Sequence, residues 1–119
     1  MEGKSYEEQV AEAKTRVREV APGEASALRS AGDAVFVDVR EPNEWNLFRI
    51  PGAVHLPLGD VRSRARDAVA PGRRVVVYCA RGNRSALAAD AMSELGYTDV
   101  VSLAGGIMAW MSAGGEVEE

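Results

Sequence analysis

Residues 75–85 read Val-Val-Val-Tyr-Cys-Ala-Arg-Gly-Asn-Arg-Ser. A run of β-branched and aromatic residues ends in the only cysteine of the chain, Cys79. A short polar loop with two arginines and one glycine follows, and then Ala86-Leu87-Ala88-Ala89-Asp90-Ala91-Met92, a strong helix-forming segment. This order calls for a buried strand with a thiol at its carboxyl end, and for a loop that curls back into a helix N-terminus. Backbone N–H groups of such a loop converge on one spot, and the helix dipole adds partial positive charge there. That cup favours the thiolate, which is the nucleophilic form of cysteine.

The remainder of the chain alternates strand and helix signals. Residues 5–16 place Tyr6, Val10 and Ala13 at helical spacing among charges. A short strand over 17–20 is stopped by Pro22, and a helix carrying Ala25, Leu28 and Arg29 is closed by Gly32. Residues 34–39 form a nearly continuous apolar run, as expected of a strand covered on both faces. A helical turn at 42–45, a Pro51-Gly52 turn, a short strand over 53–56 and a weaker helix over 58–69 precede the central strand at 74–78. The helix after the cysteine is expected over 85–95 with Gly96 as its C-cap. A last strand over 99–103 and a short helix over 107–111 complete the pattern.

Such alternation implies an α/β fold with a small central parallel β-sheet flanked by helices on both faces. Ligands in these sheets bind outside the carboxyl ends of the strands, where Asp38, Arg40 and Cys79 are expected to sit. At 119 residues the chain is expected to form one domain, long enough for a proper core. Residues 1–16 read as an N-terminal helical extension, 17–113 as the domain proper, and 114–119 as an acidic tail whose residues 116–119 are expected to fray.

A net charge of −4 argues against a general nucleic-acid binder. No apolar stretch approaches the ~18 residues of a membrane span, so no membrane association is expected. The first twenty residues carry charges throughout, unlike a secretory signal. A single free thiol suits a reducing compartment, so a cytoplasmic location is expected. With no second cysteine, an oxidised or sulfurated Cys79 must be resolved by another molecule.

Four segments spanning Val35 to Trp110 resemble the single-domain rhodaneses, the sulfurtransferase family. Val37-Asp38-Val39-Arg40-Glu41-Pro42-Asn43-Glu44-Trp45 looks like its Asp-x-Arg-Glu-x-x-Glu-aromatic motif. Ile50-Pro51-Gly52-Ala53 looks like its Ile-Pro-Gly-Ala segment, Cys79 to Ser85 like its active-site loop, and Gly105-Gly106 to Trp110 like its closing signature. The family often has Gly-His before Ile-Pro-Gly-Ala, where this chain has Phe48-Arg49. Should that glycine sit at positive φ, Phe48 must take another local path.

The resemblance implies a rhodanese-like fold in which Cys79 attacks the outer sulfur of a donor such as thiosulfate. An enzyme persulfide forms and sulfite leaves. Cyanide or a thiol then takes the sulfur; the acceptor in the cell could be a thioredoxin-like or sulfur-carrier protein. No cofactor or metal is called for. The backbone amides of Ala80, Arg81, Gly82, Asn83, Arg84 and Ser85 are available to hold the anionic sulfur. Arg81 and Arg84 are candidates for binding an oxyanion, against the plainer reading of solvated charges, and they favour thiosulfate over mercaptopyruvate. Gly82 allows the tight curl. Ser85 reads first as a helix N-cap and second as a hydroxyl contact to sulfur.

Asp38 is better read as structurally paired, with Arg40 or loop amides, than as an acid–base group. Arg40 either steers the donor or braces Glu44. His55 reads as a satisfied core histidine, and Trp45 and Trp110 as packing residues. Arg62, Arg64 and Arg66 form a solvated face, with a docking patch for an acidic partner as the alternative.

Two other functions compete. A phosphatase or arsenate reductase uses a similar anion cup, but the common tyrosine-phosphatase loop has five residues between cysteine and arginine. Cys79 and Arg84 have four, and the smaller cup suits sulfur better than a tetrahedral phosphate. A non-turnover delivery or regulatory module is the other rival, against which the retained cysteine and intact loop argue.

Overall fold

The computed structural model of the chain describes residues 3–119. Five strands, β1 (Arg18–Val20), β2 (Val35–Asp38), β3 (Val54–His55), β4 (Val75–Tyr78) and β5 (Val100–Leu103), form one sheet. Its order is β1-β5-β4-β2-β3, and every neighbouring pair is parallel. The helices are α1 (Tyr6–Arg16), α2 (Pro22–Ala31), α3 (Pro42–Leu47), α4 (Val61–Ala68), α5 (Asn83–Glu94) and α6 (Gly106–Ser112). A single 3₁₀ turn, Leu58–Asp60, leads into α4. The expected α/β architecture is the observed one.

The central strand β4 shows why its sequence is apolar without interruption. All of Val75, Val76, Val77 and Tyr78 are buried. Successive side chains of a strand point to opposite faces, so Val75 and Val77 join one core with Ala88, Ala89 and Met92 of α5. Val76 and Tyr78 join a second core with Phe36, Ile107 and Trp110. The sheet is therefore covered on both faces.

Helix α1 begins with a reciprocal cap. Ser5 Oγ accepts the Glu8 N–H at 3.1 Å, and Glu8 Oε1 accepts the Ser5 N–H at 2.8 Å. Val10 and Ala13 are buried, and Arg16 donates twice to Asp90 of α5, at 3.0 and 2.7 Å. The N-terminal helix is thus tied to the helix that follows Cys79.

The last residues are docked, which corrects the expectation of a frayed tail. Arg49 and Glu118 exchange both backbone hydrogen bonds, at 2.9 and 2.8 Å. Val117 packs against the second core, and the Trp110 indole N–H donates to the Glu116 carbonyl at 2.8 Å. A Cβ at Gly115 would lie 2.4 Å from the Trp110 ring, so only glycine lets the chain pass there. Charge content alone suggested fraying; one valine and a paired backbone outweigh it. Among the described residues, no helix is long and apolar enough to cross a membrane.

Phe48 does take a local path of its own, an extended one at φ −169° and ψ 159°. Its ring lies 5.4 Å from the Arg40 guanidinium.

Candidate active site

Cys79 follows β4 directly and is 1 % exposed. The turn after it is shorter than the sequence suggested, because Gly82 adopts φ +100° and α5 starts at Asn83. The angle favours glycine, and a Cβ on residue 82 would crowd the Gly105 amide nitrogen at 3.2 Å. The Gly82 N–H donates to Cys79 Sγ at 3.1 Å and the Ser85 N–H at 3.3 Å. Of the amides from Ala80 to Ser85, these two reach the sulfur.

Ser85 is not the N-cap. It lies inside the first turn of α5, where its hydroxyl sits 2.8 Å from Ser102 Oγ and 3.5 Å from Cys79 Sγ. Both serines are fully buried, so the two hydroxyls satisfy one another beneath the thiol. The helix begins two residues earlier than expected because Gly82 completes the turn alone. Ser102, on the neighbouring strand β5, carries no chemical signature in the sequence that would have singled it out.

The loop is held from its other side by α6. The Ile107 N–H donates to the Cys79 carbonyl at 2.9 Å and the Met108 N–H to the Ala80 carbonyl at 3.1 Å. These are orphan donors of a helix N-terminus, spent on the loop backbone. Gly106 makes the approach possible, since a Cβ there would meet the Ala80 carbonyl carbon and oxygen at 2.4 Å.

Arg84 and Arg81 have different situations. Arg84 is partly buried and makes a two-point ion pair with Glu44 of α3, Nη1 to Oε1 at 2.7 Å and Nη2 to Oε2 at 3.0 Å. The Arg84 hydrogen bonds hold the Glu44 carboxyl at a pKa of about 2, below its ordinary 4.5, against the opposing effect of burial. Glu44 in turn keeps Arg84 firmly charged, raising its pKa. Arg81 is exposed and makes no ion pair among the described residues. Both arginines, with Cys79, Ala80, Asn83 and Tyr6, line a cavity of about 220 Å³ over the thiol.

Asp38 and Arg40 pair with each other, at 2.8 Å between Oδ2 and Nη2, and both are buried. Arg40 Nη2 also donates to the Phe48 carbonyl at 2.6 Å. Its hydrogen bonds brace Asp38, the pairing expected for that carboxylate, rather than Glu44, and Arg40 does not line the cavity over the thiol. The sequence places it at the right strand end; burial then commits its charge to the nearest carboxylate. Tyr78 closes this region by accepting the Ile50 N–H on its phenol oxygen at 3.1 Å. Burial, then the nearby Asp38 charge, pushes that phenol's pKa up.

His55 is satisfied as expected. Its Nε2 lies 2.9 Å from the Arg40 carbonyl, which accepts the proton, and its ring stacks on Trp45 at 4.7 Å. Trp45 also carries the Arg49 guanidinium at 4.9 Å, and Trp110 meets Phe36 edge-on. Arg62 pairs with Glu94, Arg64 with Asp60, and Arg66 donates to the Leu95 carbonyl. Two of the three arginines on that face are thus paired with carboxylates.

The family model described as Rhodanese-like domain matches residues 21–113. The chain is 40 % identical over 97 residues to the thiosulfate sulfurtransferase GlpE of Pseudomonas fluorescens, covering 80 % of this chain and 85 % of that protein. It is also 40 % identical over 84 residues to the probable adenylyltransferase/sulfurtransferase MoeZ of Mycobacterium tuberculosis, covering 70 % of this chain but only 21 % of that protein's length. Among solved structures, a Rhodopseudomonas palustris protein described as a possible tyrosine phosphatase superposes with a TM-score of 0.85 at 29 % identity. That likeness covers 99 % of this chain and 97 % of the other. The likeness thus extends over the sheet, the cysteine loop and the closing helix, and the chain belongs to the rhodanese-like sulfurtransferase family.

Proposed function

We propose that the protein is a thiosulfate sulfurtransferase with Cys79 as its nucleophile. The observation that carries this reading is the position of Cys79 Sγ, which accepts the Gly82 and Ser85 amides at the base of a small cavity lined by Arg81 and Arg84. The cavity, about 220 Å³, is smaller than the roughly 300–1,000 Å³ of a drug-sized ligand site. It suits a compact inorganic anion.

The reaction divides into two displacements. The Cys79 thiolate attacks the outer sulfur of thiosulfate, the S–S bond of the donor breaks, and sulfite leaves with the electron pair. The amides that hold Sγ then face the charge of the Cys79 persulfide. Cyanide, or a thiolate in the cell, attacks the terminal sulfur, and Cys79 leaves again as thiolate. Arg81 attracts the donor, Arg84 contributes charge restrained by Glu44, and the Asp38–Arg40 pair supports the strand end. In this reading the acceptor is a small-protein or low-molecular-weight thiol in the cytoplasm, and residues 17–113 are the working domain.

Intact mass spectrometry tests the reading. Thiosulfate is expected to add one sulfur, about 32 Da, to the wild type and nothing to Cys79→Ser, with parallel double-reciprocal lines in the thiocyanate assay. An adduct of equal size on the Ser variant would remove Cys79 from the reaction. Turnover of p-nitrophenyl phosphate without sulfur loading would instead favour the phosphatase reading that the Rhodopseudomonas likeness raises.

A further inference from the structure

We propose that Tyr6 is a specificity-determining residue: its ring, delivered by α1, is the wall that admits small sulfur donors to Cys79 and holds larger ones out. The inference rests on the sulfurtransferase reading given above. Tyr6 lines the same cavity as Cys79, Ala80, Arg81, Asn83 and Arg84. Of those six, it is the one aromatic side chain and the one residue from outside the cysteine loop and the start of α5. It also lies outside residues 21–113, which carry the family match.

The rest of α1 explains why the ring stays in place. The reciprocal cap at Ser5 fixes the backbone immediately before Tyr6. Val10 and Ala13 bury the helix face against the core, and the Arg16–Asp90 pair ties its far end to α5. Tyr6 itself is 46 % exposed, so it is no part of that buried face. Tyr6 is therefore placed on a secured helix with its side chain between solvent and the cavity that holds Cys79. Arginines can swing aside at the mouth of the cavity; a ring with two rotatable bonds on a fixed helix yields less.

The test compares wild type, Tyr6→Phe and Tyr6→Ala with two donors, thiosulfate and glutathione persulfide. Cys79 attacks the outer sulfur of either, and sulfite or the glutathione thiolate leaves, so the donors differ in bulk at the cavity mouth. Tyr6→Ala is expected to shift the ratio of kcat/KM values about tenfold toward glutathione persulfide, while Tyr6→Phe keeps the wild-type ratio. A ratio unmoved in Tyr6→Ala overturns the wall, and so does an equal shift in Tyr6→Phe, which would assign the effect to the hydroxyl.

A second readout needs no sulfur transfer. Cys79 is alkylated with iodoacetamide and with a bulky fluorescein maleimide, and the two rates are followed by mass spectrometry. Tyr6→Ala is expected to accelerate the bulky reagent selectively, by several-fold. No change overturns the inference, and equal acceleration of both reagents also overturns it, because it marks release of α1 as a whole. If the wild type loads sulfur from neither donor, the sulfurtransferase reading fails while the alkylation rates still decide the wall.

Discussion

Glu44 and Arg84, forty residues apart, face each other as fork to fork: Oε1 lies 2.7 Å from Nη1 and Oε2 3.0 Å from Nη2. The pair joins α3, which follows the Asp38 strand end, to the first turn of α5, which follows Cys79. It therefore fixes the two strand-end loops relative to each other. It also restrains one of the two loop arginines, whereas Arg81 makes no ion pair among the described residues.

The pair should be energetically coupled. Each side chain is 27 % exposed, so the interaction is screened in part, and a coupling of about 1 kcal/mol is expected. Urea unfolding of Glu44→Ala, Arg84→Ala and the double variant measures it. Additive losses would show that the two-point geometry contributes nothing to stability.

Acid should remove this contribution. Glu44 titrates at about 2 in the fold, below its ordinary 4.5. Its folded pKa is depressed, so the stabilisation is fully present above pH 4.5 and fades as pH falls from there through 2. Thermal unfolding of wild type and Glu44→Gln between pH 7 and pH 2 is the check. Their difference in stability should be constant above about pH 5.5 and shrink below about 4.5; a constant difference down to pH 2 would contradict the shifted carboxyl.

Arg81 and Glu44 should move donor affinity in opposite directions. Arg81→Ala removes the unpaired cation and is expected to raise the KM for thiosulfate about tenfold at low ionic strength. Because Arg81 is exposed, much of that difference should vanish near 0.5 M salt, roughly where screening lengths fall to a few ångströms. Glu44→Gln leaves Arg84 with uncompensated charge and should lower the same KM. Steady-state kinetics at two salt concentrations decide it, and equal KM values in all three proteins would make both charges spectators.

Gly106 and Gly32 separate strain from collision. Both have positive φ, +64° and +70°. At Gly32 an added Cβ meets nothing within 4 Å, whereas at Gly106 it meets the Ala80 and Arg81 backbone at 2.4–2.6 Å. Gly32→Ala is expected to cost about 1 kcal/mol and to leave sulfur transfer intact. Gly106→Ala is expected to cost about 3 kcal/mol or more and to abolish transfer by displacing the loop that carries Cys79. Denaturant unfolding and thiocyanate formation report the two quantities separately. Similar behaviour of the two variants would mean that the Gly106 contact gives way easily.

The strands, the parallel sheet and the place of Cys79 at the end of β4 were legible in the sequence because they rest on local signals. Apolar runs, proline and glycine punctuation and helix propensity act over a few residues. The same locality accounts for the misreadings. Ser85 looks like an N-cap from its neighbours, yet Gly82 turns the chain early and the hydroxyl finds Ser102 on another strand. The terminal segment looks frayed by its charges, yet Val117 and the Arg49–Glu118 pairing dock it. The pairing of Asp38 with Arg40 was legible because the two stand two residues apart at one strand end, whereas the alternative of Arg40 bracing Glu44 was not met.

By itself, then, the order of residues determined a cysteine at the carboxyl end of a strand in a parallel sheet, with a glycine to turn the loop and two arginines beside it. Only the tertiary structure decided which arginine remains free, because Glu44 comes from another loop and two-point pairing depends on distance to a few tenths of an ångström. It likewise decided that α6 grips the cysteine loop through Gly106, and that α1 brings Tyr6 to the cavity. Periodicity and propensity are properties of one segment, whereas these contacts join segments that only the packed sheet brings together.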